Sequence, residues 1–143
     1  MDIRIYEARD EAAVVRLWAE CDLVRPWNDP HKDIRRKLSV QPELFLVGVD
    51  GNALVATVMA GYDGHRGWVN YLAVAENCRN RGFGRAMMEN VEDKMRLMGC
   101  PKLNMQVRSS NRSVLAFYAR LGYTQDEAVS LGKRLISDDP SGT

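Results

Sequence analysis

The sequence has few of the residues that build disulfide frameworks or zinc sites. Its 143 residues include only three cysteines and two histidines. Cys21, Cys78 and Cys100 are widely spaced, they are odd in number, and no pair of them forms a C-x-x-C motif. This pattern argues against a disulfide framework and against a zinc site, and it favours a reducing compartment.

An excess of one charge and long apolar runs are also missing. Twenty basic and nineteen acidic residues give a net charge of +1, whereas proteins that hold nucleic acid through their overall field are usually far more basic. The longest uncharged run, residues 51–62, is too short to cross a membrane, and the first residues lack the basic and apolar regions of a signal peptide. We therefore expect a cytoplasmic protein whose partners are neither nucleic acids nor membranes.

What the chain does have is the length and apolar content of one folded domain. Hydrophobic residues make up 45% of it, which is ordinary for a globular protein and excludes disordered and fibrous classes. We predict a single domain over residues 1–136, followed by a frayed C-terminal tail over residues 137–143.

Apolar spacing and turn residues predict alternating strands and helices. Strands are expected over residues 2–7, 44–49, 53–62, 68–74, 103–108, 123–129 and 130–135, and helices after Asp10, from Asp29 to about residue 38, and over 83–98 and 111–121. The order β-α-α-β-β-β-α-β-α-β-β contains one β-α-β crossover, so the strands at 68–74 and 103–108 should be parallel. The predicted fold class is α/β (α+β), with a mixed sheet and helices on its faces.

The most informative segment lies between a predicted strand and a predicted helix. It contains Arg79, Arg81 and Arg85 around Gly82 and Gly84. The first turn of a helix has unpaired N–H groups and a positive dipole end, glycine lets an anion approach closely, and arginine adds paired donors. These features favour phosphate binding, with a solvated turn as the alternative. A dinucleotide-binding or P-loop motif fits less well, because the third glycine and the Gly-Lys-Ser/Thr end are missing.

Two blocks of residues have a characteristic spacing: one contains this loop and the strand before it, and the other lies in the last predicted helix and just after it. The first consists of Leu72-Ala73-Val74 followed by Arg79, Gly82 and Gly84, and the second of Asn111, Val114, Tyr118, Gly122 and Tyr123. In both blocks and in the order of its elements, the chain resembles the GNAT superfamily of acyl-CoA-dependent N-acetyltransferases. Residues 25–30 and 61–67 further resemble the small bacterial YpeA-like branch of that family.

The resemblance implies how the chain folds and binds its donor. It implies a mixed, mostly antiparallel sheet whose two central parallel strands splay apart around the thioester of acetyl-CoA, without a metal. The implied cofactor-binding residues are Leu72, Ala73, Val74, Arg79, Arg81, Gly82, Phe83, Gly84, Arg85, Asn111 and Tyr118. The strand segment would pair with pantetheine, an N–H group near Val74 would polarise the thioester carbonyl, and the glycine loop would hold the pyrophosphate. Asn111 could equally be a plain helix cap.

The same resemblance implies direct attack of a neutral amine on the thioester. Tyr118 would then protonate the departing CoA thiolate, although a tyrosine at an inward helix position is more often a core residue. The sequence does not clearly identify the general base for the amine, because Gln106 and Asn70 occupy positions where related proteins carry acidic residues. Asp63 is our candidate base, and the candidates for the acceptor site are Asp22, Trp27, Asp29 and His65. Each of these side chains has a structural alternative as a turn residue, a helix cap or an exposed group.

The sequence therefore predicts an N-acetyltransferase that moves the acetyl group of acetyl-CoA to a primary amine of a small molecule or peptide. One alternative is a non-catalytic acyl-CoA binding or sensing protein of the same fold, suggested by the missing carboxylate. Another is a nucleotide or nucleic-acid module that uses the loop from Arg79 to Arg85. The chain is also compatible with a homodimer.

Overall fold

The computed structural model describes residues 1–139, in which strands and helices alternate. The strands are β1 (Asp2–Ile5), β2 (Phe45–Asp50), β3 (Ala53–Tyr62), β4 (Gly67–Val74) and β5 (Leu103–Met105). The helices are α1 (Glu11–Glu20), α2 (Pro30–Leu38), α3 (Phe83–Leu97) and α4 (Arg112–Arg120), and short 3-10 turns occupy Ala8–Asp10, Pro42–Leu44 and Glu76–Cys78. The order agrees with the sequence prediction as far as α4.

Two helices begin at capping side chains that are recognisable in the sequence. The Asp29 carboxylate accepts the N–H groups of His31 and Lys32, at 2.9 and 3.2 Å, at the start of α2. The Asn111 side chain accepts the N–H group of Val114 at 3.3 Å at the start of α4. Each cap satisfies N–H groups that the first helical turn leaves without a partner. Both predicted helix starts are confirmed.

The five strands form one sheet in the order β1-β2-β3-β4-β5. The first three pairs are antiparallel, and β4 pairs with β5 in parallel, which confirms the predicted mixed, mostly antiparallel sheet. The parallel pairing joins three residues of each strand, from Gly67 with Leu103 to Val69 with Met105. Beyond Val69 the two strands separate, as the resemblance implied.

Helices cover both faces of the sheet. On one face α3 and α4 pack on a core that includes Met87. On the other face α1 and α2 pack on a second core around Trp18 and Ile34. Because side chains alternate along a strand, β4 contributes to both cores: Val74 packs on the first and Ala73 on the second. The central strands are thus held from both sides.

β4 contains one residue more than β3 in the middle of their pairing. Met59 lies opposite Asn70 and Thr57 lies opposite Ala73, so two steps along β3 correspond to three steps along β4. The extra residue is accommodated at Tyr71, whose φ of 54° lies in the left-handed region. A bulge of this kind bends a strand and increases its twist. It lies at the point where β4 and β5 separate.

A buried set of hydrogen bonds holds the bulge in place. The Thr57 hydroxyl donates to the Tyr71 carbonyl oxygen at 2.9 Å and accepts the indole N–H group of Trp18 at 2.8 Å. The Trp18 ring stacks on the Tyr71 ring with centroids 3.8 Å apart, and the Tyr71 hydroxyl donates to the Asp33 carboxylate at 2.6 Å. A buried carbonyl displaced from a strand ladder needs another donor. Thr57 supplies that donor.

The two strands predicted over residues 123–129 and 130–135 are absent from the described structure, and that prediction is wrong. Residues 124–136 make no backbone-to-backbone hydrogen bond within the described residues. Their attachment beside β5 runs through side chains, with Lys102 and Asn104 donating to the Asp126 carboxylate at 2.7 and 2.8 Å. A strand needs a partner ladder, and β5 ends at Met105 after three residues instead of reaching residue 108 as predicted.

The tail that was predicted to fray from residue 137 is docked at Asp138. The Asp138 carboxylate is buried, accepts the N–H group of Asp29 at 2.9 Å and pairs with the Arg36 guanidinium. The hydrogen bonds from Arg36 hold the pKa of Asp138 well below its usual range. The prediction is therefore wrong at this residue, because a carboxylate distant in sequence completes the start of α2. Residues 140–143 of the predicted tail lie outside the described residues.

Replacing Thr57 by valine should destabilise the protein. Valine has nearly the same shape, but it leaves the Trp18 indole N–H group and the Tyr71 carbonyl without their buried partner. We expect the free energy of unfolding to fall by about 2–4 kcal/mol, because two buried polar groups each lose a hydrogen bond. Thr57→Ser keeps the hydroxyl and should lose only a buried methyl group, about 1 kcal/mol. Urea unfolding measures both, and a valine variant as stable as the wild type would contradict the role of Thr57.

Candidate functional site

A cavity of about 660 Å³ lies at the C-terminal end of β4. Its walls come from β4, the start of α3 and α4, together with residues that follow α1. All the predicted cofactor residues except Arg81 line it, namely Leu72, Ala73, Val74, Arg79, Gly82, Phe83, Gly84, Arg85, Asn111 and Tyr118. A smaller cavity of about 310 Å³, at the ends of α3 and α4, contains none of the predicted residues.

One end of the main cavity is formed by the N-terminus of α3. Gly82 precedes the helix with a φ of 80°, in the left-handed region that favours glycine, and it provides no capping side chain. Gly84 is required for a different reason, because a Cβ atom there would lie 3.1 Å from two ring carbons of Phe117. The glycines thus allow both the turn and the close packing of α3 on α4. The N–H groups of the first turn of α3 remain uncapped by side chains and attract anions.

The three arginines of the loop have different surroundings. Arg79 donates to the Val74 carbonyl oxygen at 3.3 Å, and Arg85 lies 3.7 Å from Glu89 on α3; both arginines line the cavity. Arg81 instead stacks over the Phe83 ring at 4.7 Å and lies 3.4 Å from Asp50. The predicted positive end of the cavity is therefore built by Arg79 and Arg85 with the helix terminus.

The middle of the cavity follows the free edge of β4. The N–H group of Ala75 donates to Val55 of β3, and the Tyr71 carbonyl is held from β3 by Thr57. Because neighbouring residues of a strand direct their polar groups to opposite sides, those of Leu72 and the N–H group of Val74 are directed into the gap left by β5, whereas the Val74 carbonyl accepts from Arg79. This edge can pair with an extended ligand.

Tyr118 of α4 also lines the cavity. The side chain is 7% exposed, and its ring packs edge-on against Phe117 and Tyr123, with centroids 5.1 and 5.6 Å away. Burial raises the pKa of Tyr118 to about 12, so the phenol is protonated at neutral pH. Asn111 lines the cavity as well as capping α4, so both of its predicted roles are compatible with its position.

Asp63 and His65 lie away from this cavity. The Asp63 carboxylate accepts the N–H groups of Arg66 and His65, each at 2.8 Å, in the turn between β3 and β4. These bonds hold the pKa of Asp63 below its usual range. The turn precedes β4, whose length of about 25 Å separates it from Val74. The structure thus argues against the predicted role of Asp63 as the base, because its carboxylate shapes a turn at the wrong end of the strand.

The other predicted acceptor residues occupy the segment between α1 and α2, outside the cavity lining. Asp22 is exposed and pairs with Arg25 at 3.0 Å, and Trp27 is 52% exposed. Asp29 is engaged as the cap of α2. These positions leave Trp27 as the large side chain of the segment that is open to an acceptor.

Sequence reasoning did not identify the contact between β4 and the residues that follow α1 at the cavity. Cys21 and Leu23 line the cavity. The Cys21 Sγ atom lies 3.5 Å from the Val74 carbonyl oxygen and 3.8 Å from a guanidinium nitrogen of Arg79. The apolar spacing of α1 identified Cys21 as an inward residue, but its neighbours across the sheet depend on tertiary packing.

The described residues contain neither a metal-binding cluster nor a membrane-spanning helix. In residues 1–139 no group of three or more His, Cys, Asp and Glu side chains could hold a metal ion. Across the same residues, each helix is too short or too polar to cross a membrane.

The chain matches the model of the acetyltransferase (GNAT) family over residues 12–123. It belongs to the GNAT acetyltransferase family. An acetyltransferase of Yersinia enterocolitica is 49% identical to it over 138 residues, which cover 96% of this chain and 98% of the relative. An acetyltransferase of Pectobacterium atrosepticum is 47% identical with the same coverage.

Solved structures show the same fold at lower identity. Ard1 from Thermoplasma volcanium is similar with a TM-score of 0.75 and 23% identity, over 86% of this chain and 82% of that one. A chain of the NatC complex, solved with Gag peptide and CoA, is similar with a TM-score of 0.76 and 24% identity, over 89% and 87% of the two chains. The sheet and helices of the present protein are thus those of the GNAT fold.

The different surroundings of two loop arginines allow a test of the predicted pyrophosphate site of this GNAT protein. Arg85→Ala removes a guanidinium from the cavity and should weaken CoA binding about tenfold, as expected for one charge-assisted hydrogen bond. Arg81→Ala makes the same change of charge outside the cavity lining and should weaken binding much less. Titration calorimetry with CoA measures both, and equal losses would contradict the assignment.

Proposed function

We propose that the protein is a single-domain N-acetyltransferase that transfers the acetyl group of acetyl-CoA to a primary amine. The observation that carries the proposal is the composition of one cavity. Its lining combines an uncapped helix terminus with Arg79 and Arg85, a strand edge, and the protonated phenol of Tyr118. These groups suit, in order, a pyrophosphate, an amide-containing arm and a leaving thiolate.

The donor would bind through the N-terminus of α3 and the edge of β4, which both line the cavity. The pyrophosphate would accept N–H groups of the first turn of α3 and the guanidinium of Arg85. The pantetheine amides would then pair with the edge of β4 at Leu72 and Val74 as an added strand does. This arrangement brings the thioester toward Tyr118 and into the gap between β4 and β5.

The transfer step forms a bond between the amine nitrogen and the thioester carbon. A backbone N–H group of the β4 edge would stabilise the developing oxyanion. The carbon–sulfur bond then breaks, and Tyr118 gives its proton to the CoA sulfur. The apolar surroundings that raise the pKa of this phenol also disfavour a bare thiolate beside it. The raised pKa keeps the phenol protonated until the thiolate forms, and the cost of a buried thiolate favours transfer of the proton to sulfur.

The acceptor amine must lose a proton before or during its attack. No carboxylate or imidazole lines the cavity in the part of the chain that the structure describes. We infer that water carries this proton away, and that the acceptor, a small molecule or a peptide, approaches past Trp27. The rate should then rise with pH through the pKa of the amine itself.

A non-catalytic acyl-CoA sensor is the second candidate, and the absence of a carboxylate from the cavity lining favours it. The two candidates differ in whether they require Tyr118 as a proton donor. A sensor needs a ligand and no proton donor, whereas an acetyltransferase needs both. We further infer a cytoplasmic location, based on the three unpaired thiols, and no nucleic-acid partner, based on the balanced charge.

Replacing Tyr118 by phenylalanine should remove turnover and keep binding. The change deletes only the hydroxyl, so we expect kcat to fall about 100-fold or more while the dissociation constant of CoA stays within about twofold. Tyr123→Phe is a matched control, because the Tyr123 hydroxyl bonds Glu92 and lies outside the main cavity. It should keep kcat. Release of the CoA thiol with a panel of polyamines and short peptides measures the rate.

The outcomes separate the two candidates. If the wild type binds acetyl-CoA and transfers its acetyl group to none of these amines, the sensor is favoured. If an amine is acetylated and Tyr118→Phe leaves kcat unchanged, the assignment of Tyr118 as general acid is wrong.

A further inference from the structure

The segment after α4 divides its side chains into two sets. One set bonds the body of the same chain: Asp126 to Lys102 and Asn104, Ser130 to Gln106, Arg134 to Asn28, and Asp138 to Arg36. These residues are four apart, which is compatible with the two-residue alternation of an extended chain. The residues between them, up to residue 136, are exposed. We name Glu127, Val129, Leu131, Lys133 and Leu135 the outward stripe.

The outward stripe exposes large apolar side chains. Val129 is 85% exposed, Leu131 92% and Leu135 86%. Single exposed apolar residues are ordinary, but a contiguous group of them marks an interaction surface. The backbone beside them also lacks partners, since residues 124–136 make no backbone-to-backbone hydrogen bond within the described structure. The stripe therefore offers apolar surface beside backbone that has no backbone partner within the described residues.

We propose that the outward stripe pairs with the same stripe of a second copy of this chain, antiparallel and with Ser130 on the two-fold axis. In this register Val129 lies opposite Leu131, and Glu127 lies opposite Lys133. The symmetry repeats each pair, so a dimer contains two apolar pairs and two ion pairs. The stripe from Glu127 to Lys133 is complementary to its own reverse, and Leu135 lies opposite Gln125.

Neighbouring registers lack this complementarity. Facing residues in an antiparallel pair are on the same side of the sheet, so outward residues must pair with outward residues. A two-fold axis at Val129 would place Glu127 opposite Leu131. An axis at Leu131 would place Lys133 opposite Val129 and Glu127 opposite Leu135. Only the register at Ser130, among these three, matches apolar with apolar and basic with acidic side chains.

The size of the contact sets its expected strength. A pairing over residues 127–133 of each copy is smaller than the roughly 800 Å² per partner of a standard stable interface. We therefore expect reversible association that depends on concentration. It does not depend on acyl transfer, so it stands or falls separately from the proposed function.

Charge reversal within the stripe tests the pairing, and sedimentation velocity over a range of concentrations measures it. Glu127→Lys and Lys133→Glu each place like charges opposite one another twice per dimer. Each should raise the dimer dissociation constant about tenfold or more. The two changes shift net charge in opposite directions, so repulsion between whole molecules cannot explain both losses. An equal mixture of the two variants should associate as the wild type does, because every facing pair is again of opposite charge.

Two controls complete the experiment. The double variant Glu127→Lys/Lys133→Glu should recover wild-type association, and Glu20→Lys, a matched reversal on α1, should leave it unchanged. Melting temperatures confirm that each variant is folded. A wild type that remains a single chain at every concentration would overturn the proposal. Single variants that associate normally, a mixture that fails to recover, or an equal loss in Glu20→Lys would also overturn it.

Discussion

The hydrogen bond from the Thr57 hydroxyl to the Tyr71 carbonyl holds the irregularity on which the cavity depends. It allows β4 to carry one extra residue while the strand stays paired with β3 on both sides of the bulge. The added twist lies where β4 leaves β5. Without that separation the polar groups of Leu72 and Val74 would be used within the sheet, and no edge would remain for a ligand.

The lining of the cavity that results has two chemically different parts. Near the start of α3, uncapped N–H groups and two arginines favour an anion. Near Tyr118 the surroundings are apolar enough to raise the pKa of the phenol to about 12. A ligand that joins a doubly charged group to a neutral reactive group through a polar arm fits this lining. Acetyl-CoA has that form.

The features that the sequence predicted well are local ones. Asp29 and Asn111 cap helices through bonds that span two or three residues, and the glycines around Phe83 mark a turn before a helix. The failures depend on distant parts of the chain. The Asp63 carboxylate is bound in a turn that lies about one strand length away from the cavity. The Asp138 carboxylate bonds residues that are more than 100 positions away in the sequence. Residues 123–135 have the pattern of strands, but the short β5 gives them no ladder.

The central claim is that the cavity beside β4 binds acetyl-CoA, and thermal unfolding with acetyl-CoA, CoA and ATP tests it most directly. A ligand at about one hundred times its dissociation constant adds roughly 2.7 kcal/mol to the stability of a folded protein, which is a readily measured shift. We expect acetyl-CoA and CoA to raise the melting temperature and ATP to leave it unchanged, because ATP lacks the arm that would pair with β4. Equal shifts with all three ligands, or no shift with either CoA species, would contradict the claim.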